Sequence, residues 1–247
     1  VLEEYPLGLL APGSAEGPGG ARRGLSISVP TGANAGALAP LHVGSVWNGG
    51  VRLAQLIESG PLREELRGKL VLELGAGAAL PSLVLLASCS CAGAGSGPLG
   101  TSSCKDGFEP QGLVISDFPS PEILGNIEDN LRRNVELLPE AFRPEAGTGR
   151  LHVVGHAWGD DVGTLLAAAR AASAHASSQP TRSADEERSS GAADVDVRAI
   201  GGPGEGCAAS SVRTDGFDAI LLADCVWDLA AHEGLLQTLR AVLRPDG

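Results

Sequence analysis

VLELGAGAALP, residues 71–81, is a short apolar run that breaks into glycines and resumes as an apolar segment carrying a proline. An uninterrupted apolar run of this length fits a strand covered on both faces. Glycine has no Cβ, so a strand that ends at Leu74 and enters Gly75, Ala76 and Gly77 can turn sharply and bring backbone close to a ligand. Strand, glycine loop and helix in that order form the first βα unit of a parallel sheet. The third small position is Ala79, where a dinucleotide loop would carry glycine. Alone, the loop implies a tight turn or a nucleotide-like ligand and does not choose between them.

Outward from this stretch, short apolar runs alternate with helical periodicity, which predicts an α/β chain with a parallel sheet. The strands are KLVLEL (69–74), LVIS (113–116), LHVVG (151–155) and DAILLA (218–223). Residues 46–58 place Val46, Gly50, Leu53, Leu56 and Ile57 along one helical face. Ser120 can cap a second helix that has Pro121 at its first position and Ile123, Ile127 and Leu131 stacked four apart. A third helix, 232–243, offers Leu235, Leu236, Leu239 and Val242. Two tracts, 88–112 and 172–216, are too rich in Gly, Ser, Ala and Pro to order themselves by burying apolar surface, and read as insertions. The expected organisation is an extension over 1–39, partly disordered, and one domain over 40–247 interrupted by those tracts.

The chain of 247 residues is long enough for one substantial core. No apolar run nears the roughly 18 residues of a membrane span, and the start, VLEEYPLGLLAPG, lacks the basic flank of a signal peptide. A net charge of −12 argues against a nucleic-acid partner and would attract basic protein surfaces. Between positions 181 and 216, seven acids face four arginines, so most of that charge belongs to the remainder of the chain. Five scattered cysteines make no disulfide framework, so a reducing cytoplasm is the expected setting. Cys89, Cys91 and Cys104 lack the spacing and partners of a zinc site, and no metal is expected. Cys225 reads as a small buried residue.

Two acids stand where chemistry would need them. Asp117 ends the second apolar strand, where a carboxylate can accept from both hydroxyls of a ribose or simply cap a turn. It lies about twice as far from the glycines as the roughly 20 residues usual for such a pair, an excess the first insertion accounts for. Glu73, inside the first strand, is costly to bury unpaired. It should face backbone N–H groups, the glycine loop or a cationic part of a ligand.

Five segments in one order then carry a resemblance: VWNGG (46–50), VLELGAGAALPS (71–82), SDFPSPEILGNIEDN (116–130), AWG (157–159) and ADCVWDLAAHEGLL (223–236). Together they resemble the fungal branch of the seven-strand, S-adenosylmethionine-dependent methyltransferases. That branch is called nicotinamide N-methyltransferase-like, or protein N-terminal and lysine N-methyltransferases acting on translation elongation factor 1-alpha. The resemblance covers about residues 40–247 and implies a Rossmann-like fold with S-adenosyl-L-methionine as cofactor. It implies that Trp47 contacts the cofactor from the amino-terminal helix and that Gly75, Ala76 and Gly77 lie under its methionyl and ribose groups. Asp117 would hold the ribose, Trp158 would lie against the adenine, and Ala223 and Asp224 would stand beside the sulfonium and the incoming amine. Glu73 would face the charged methionyl end.

The resemblance implies an amine acceptor on a protein, elongation factor 1-alpha, with Asp224 as the candidate to orient the amine and accept its proton. A small-molecule enzyme of the nicotinamide type and a cofactor-binding remnant without catalysis are the alternatives. No Met occurs in the chain, and LRPDG (243–247) reads as a turn that a further strand follows in this class. The expectation is therefore a C-terminally truncated domain, with strands 5 to 7 missing and the others ordered 3-2-1-4. Such a piece would leave a strand edge open to association, whereas the complete protein is expected to be a monomer.

Overall fold

The structure, a computed structural model, describes residues 2–6, 24–30, 44–90, 109–176 and 215–245. Its first elements are an antiparallel hairpin, β1 (Leu2–Pro6) and β2 (Gly24–Ser28), followed by helices α1 (Asn48–Glu58) and α2 (Pro61–Glu65). Then come β3 (Leu70–Leu74), α3 (Leu80–Ser90), β4 (Gly112–Asp117), α4 (Pro121–Arg133), β5 (Leu151–Gly155), α5 (Gly163–Ala176), β6 (Ala219–Leu221) and α6 (His232–Val242). β3 to β6 form one parallel sheet in the order β5-β4-β3-β6. Counted along the sheet this is 3-2-1-4, the order implied by the motif resemblance.

Successive side chains of a strand point to opposite faces, and the central strands supply apolar groups to both. Val71, Leu113 and Ile115 enter a core shared with α1, α3, α4 and the hairpin. Leu70, Leu72, Leu74 and Val114 enter a second core with Leu165, Ala169 and Ala172 of α5, and with Leu235 and Val242 of α6. α3 is apolar all round because it is covered all round: it shares a core with Val71, Leu113 and Ile115 of the sheet, and α1 packs over it. Leu83, Val84, Leu85 and Leu86 are fully buried, each stabilising the fold by about 1.5–3 kcal/mol relative to an exposed side chain.

Several expectations need correction at their edges. Leu56 is 41 % exposed and Leu236 is 49 % exposed; Ala54 and Thr238 take the buried positions beside them. The fourth strand is shorter than its apolar run, because the chain leaves the sheet after Leu221 and turns at Asp224 with φ 52°. α3 runs on to Ser90 and α5 to Ala176, so helix reaches into both low-complexity tracts. Their apolar ends are buried: Cys89 in α3 and Ala172 in α5. The centres of those tracts, 91–108 and 177–214, lie outside the described residues, as do Cys91 and Cys104.

The segment before residue 40 contributes more than sequence patterning indicated. Leu25, Ile27 and Val29 are buried in the first core. The backbone of β2 is held by the side chains of Asn126, Asn130 and Asn134 on and just after α4. Ser120 caps α4 as expected, its hydroxyl accepting from Glu122 N at 3.3 Å, and Ile123, Ile127 and Leu131 are buried. Among the described residues no helix is long and apolar enough to cross a membrane.

Candidate functional site

In an open α/β sheet, ligands bind beyond the carboxyl ends of the strands, where the order reverses direction. Here the reversal falls at β3, which has β4 on one side and β6 on the other. A cavity of about 380 Å³ opens at that point, within the roughly 300–1,000 Å³ usual for small-molecule sites. Its walls are the loop after β3, the ends of β4 and β5, the segment after β6 and the start of α1. All nine residues singled out from sequence line it: Trp47, Glu73, Gly75, Ala76, Gly77, Asp117, Trp158, Ala223 and Asp224.

The glycine loop is folded back over β4, with Gly75 N and Ala76 N both donating to the Ser116 carbonyl at 2.9 and 3.1 Å. Gly75 has φ 73°, and a Cβ placed on it would lie 2.9 Å from Cys225 Sγ and 3.1 Å from the Trp158 ring. Glycine is therefore required there both for conformation and for space. Gly77 also takes a positive φ, 56°, but a Cβ on it would meet nothing within 4 Å, so this backbone faces open space. Ala79, the position where glycine was missing, has φ 59° and is fully buried. The turn imposes a left-handed backbone whatever residue occupies it, at a cost of about 1–2 kcal/mol for alanine.

Asp117 sits at the end of β4 with Oδ2 accepting from Gly77 N and Oδ1 from Phe118 N, each at 2.6 Å. Burial pushes its carboxyl above the usual range, against the pull of those two amides. A carboxylate has about four lone-pair sites, so both oxygens keep capacity for a ligand's hydroxyls. Glu73 is 2 % exposed and reaches the first turn of α3, where its Oε2 accepts from Ser82 N at 3.1 Å and from the Ser82 hydroxyl. Burial pushes its pKa up to about 7; the two Ser82 bonds oppose the rise, and the nearby Asp117 charge adds to it. Of the partners expected for Glu73, the backbone N–H group is the one observed.

Asp224 stands at the turn after β6, exposed, with Oδ2 accepting from Gly49 N at 2.6 Å. The α1 N-cap residue, Trp47, gives no side-chain cap. Asp224 thus supplies from across the cavity the acceptor that the helix start lacks. Cys225 is buried with its thiol against the carbonyls of Leu74 and Ala223, at 3.2 and 3.3 Å. Burial pushes that thiol up to about 12, so it remains protonated and unreactive. His232 opens α6, its ring donating to the Val226 carbonyl at 2.9 Å.

Phe118, His156, Trp227 and Asp228 also line the cavity and were not singled out from sequence. His156 is buried, with Nε2 3.0 Å from the Thr238 hydroxyl, which also accepts from Gly159 N at 2.9 Å. Burial pulls its pKa below the usual value, against Asp160 and Asp161. A signal for these residues existed: Phe118 and His156 lie just past strand ends, and Trp227 and Asp228 lie inside the 223–236 motif, where the reversal of strand order concentrates ligand contacts.

No protein-family profile matches the chain. Curated relatives do. The protein N-terminal and lysine N-methyltransferase EFM7 of Eremothecium gossypii is 28% identical over 208 residues, 84% of this chain and 53% of that protein. Its namesake in Candida albicans is 27% identical over 210 residues, covering 84% of this chain and 55% of the relative. In Schizosaccharomyces pombe the identity is 30% over 121 residues, 49% of this chain and 35% of the relative. The chain is similar to fungal protein N-terminal and lysine N-methyltransferases. It spans about half the length of the Eremothecium and Candida methyltransferases it matches. The resemblance first carried by five short motifs thus extends over most of the chain.

Proposed function

We propose that this chain is the cofactor-binding part of an S-adenosylmethionine-dependent protein N-methyltransferase. Its acceptor is the N-terminal amine, an adjacent lysine amine, or both, of translation elongation factor 1-alpha. The sign of the cavity carries the reading of the ligand. Glu73, Asp117, Asp224 and Asp228 line it, and among the described lining residues there is no Lys or Arg. Such a wall favours a cation and repels a phosphate. The amides that might cradle a pyrophosphate are engaged already, Ser82 N by Glu73 and Gly77 N by Asp117. A dinucleotide is disfavoured on both counts. The names of the relatives support the transfer class, and the motif resemblance supports the acceptor.

When bound, the cofactor supplies an electrophilic methyl group on a sulfonium. In this reading Asp117 accepts from the ribose hydroxyls, while Trp158 offers an indole face to the adenine. Gly75, Ala76 and Gly77 let the backbone approach the ligand, and Trp47 covers it from α1. Glu73 balances the positive charge of the methionyl end, which makes its burial as a carboxylate tolerable. Ala223 and Asp224 flank the acceptor. An α-amine, with a reference pKa near 7.7–8.0, is largely ready at neutral pH, whereas a lysine near 10.4 must first lose its proton. Asp224 orients the amine and receives that proton. The four strands correspond to strands 1 to 4 of a seven-strand sheet, and the cytoplasm, where such an acceptor is found, is the proposed setting.

The test is incubation with methyl-labelled S-adenosylmethionine and, in separate reactions, purified elongation factor 1-alpha or nicotinamide. Label in an amino-terminal peptide of the elongation factor is expected. Label in nicotinamide alone overturns the acceptor, and calorimetry showing no S-adenosylmethionine binding overturns the cofactor.

A further inference from the structure

The first strand pair is docked on the domain by an unusual edge. Asn130 and Asn134 each treat one residue of β2 as a neighbouring strand would. Asn134 Oδ1 accepts from Ser26 N and its Nδ2 donates to Ser26 O, both at 2.8 Å. Asn130 repeats the pattern on Ser28 N and O, also at 2.8 Å. The match is geometric. Four residues of helix advance about 6 Å, close to the roughly 6.6 Å covered by two residues of a strand. Asparagines four apart therefore keep register with alternate residues of β2.

Asn130 alone of this ladder also reaches the cavity loop, donating from Nδ2 to Ala78 O at 3.1 Å. Both of its Nδ2 hydrogens are thus used, and its Oδ1, which accepts from Ser28 N, shares the single Ser28 hydroxyl proton with Asn126 Oδ1. The residue is completely buried, so no water replaces a lost partner. Ala78 lies in the loop that lines the cavity.

We propose that Asn130 is a positioning residue that couples the docking of β2 to the conformation of the 75–79 loop, so that cofactor binding and strand docking stabilise each other. The identity of the ligand rests on the function proposed above; the coupling between strand and loop does not. Reciprocity follows from linkage: whatever docking contributes to ligand affinity, the ligand returns to docking.

Amide hydrogen exchange and S-adenosylhomocysteine titration on the protein, Asn130→Ala and Asn134→Ala test this. Both variants lose strand contacts, but among the described residues the Asn134 side chain hydrogen-bonds only Ser26 and the Asn130 carbonyl of its own helix. Faster exchange in β2 is expected for both. Faster exchange of the 77–80 amides, with affinity weakened about tenfold, is expected for Asn130→Ala alone; Asn134→Ala should keep affinity within about twofold. In the unsubstituted protein the ligand should slow exchange at Ser26 and Ser28. That measurement decides the matter even if Asn130→Ala does not fold. Equal loop exchange in the two variants, or no ligand protection at Ser26 and Ser28 where the ligand binds, overturns the coupling. If the unsubstituted protein does not bind the ligand, the cofactor reading fails, and the comparison of loop exchange still decides the role of Asn130.

Discussion

Glu73 lies between Leu72 and Leu74 in a fully buried strand, and among the described residues only Ser82 donates to its carboxyl. Burial pushes its pKa up to about 7, well above the ordinary carboxylate range, and this ties its protonation to stability. Because the folded value is the higher one, its favourable contribution is complete below the unfolded pKa and is lost as pH rises through about 7. Glu73→Gln keeps an acceptor for Ser82 without the charge. The variant should melt at nearly the wild-type temperature at pH 5 and above it at pH 8. A gap of the same size at both values would sink the assignment. The proposed cationic ligand reverses the preference by stabilising the carboxylate, so wild-type affinity should rise with pH through the same window and that of Glu73→Gln should not. At Asp224 the informative change is Asp224→Asn, which can still accept from Gly49 N. If the carboxylate takes up the amine's proton, kcat should fall about 100-fold, with cofactor affinity held within about twofold. Unchanged turnover removes Asp224 from that role.

At the scale of elements, α4 shows what a sequence conveys and what it conceals. Its cap, its proline and its apolar stripe were readable, because each is a local rule satisfied within one turn. Ser120→Ala should lower stability by about 1 kcal/mol in urea unfolding, with the slope of the transition unchanged. No loss would mean that the 3.3 Å bond to Glu122 N contributes nothing. Asn130 and Asn134, by contrast, looked like ordinary polar helix residues, since their partner is a strand about 100 residues earlier in the chain. Leu56 and Leu236 were misplaced for a related reason. Periodicity finds the centre of an apolar face but not its rim, and Ala54 and Thr238 are drawn inward by neighbours that no helical window contains. At β6 the apolar run was read as strand, yet its last residue, Ala223, serves the cavity wall, with Asp224 turned to meet Gly49.

For the molecule as a whole, the parallel sheet was legible from the alternation of strands and helices, while the strand order and most of the nine site residues were legible only through the motif resemblance. Parallel strands joined by helices place every strand end on one edge of the sheet, so a residue just after a strand is a candidate for the site before any distance is known. The volume of the cavity and the sign of its wall were not legible, since they depend on how five separate segments close together. That closure also predicts the response to ligand. Anything that fills the cavity touches the ends of four strands and the start of α1, and so binds the folded chain and not the unfolded one. S-adenosylmethionine at about 100 times its Kd should add roughly 2.7 kcal/mol of stability and make the melting temperature depend on its concentration. ATP has the same adenosine but brings a triphosphate toward Glu73, Asp117, Asp224 and Asp228. Like charges so close cost more than an adenine contact returns, so ATP should leave the melting temperature unchanged. Equal shifts from the two ligands in thermal denaturation would show that the cavity reads adenosine alone. The acidic wall would then have no part in selecting a sulfonium.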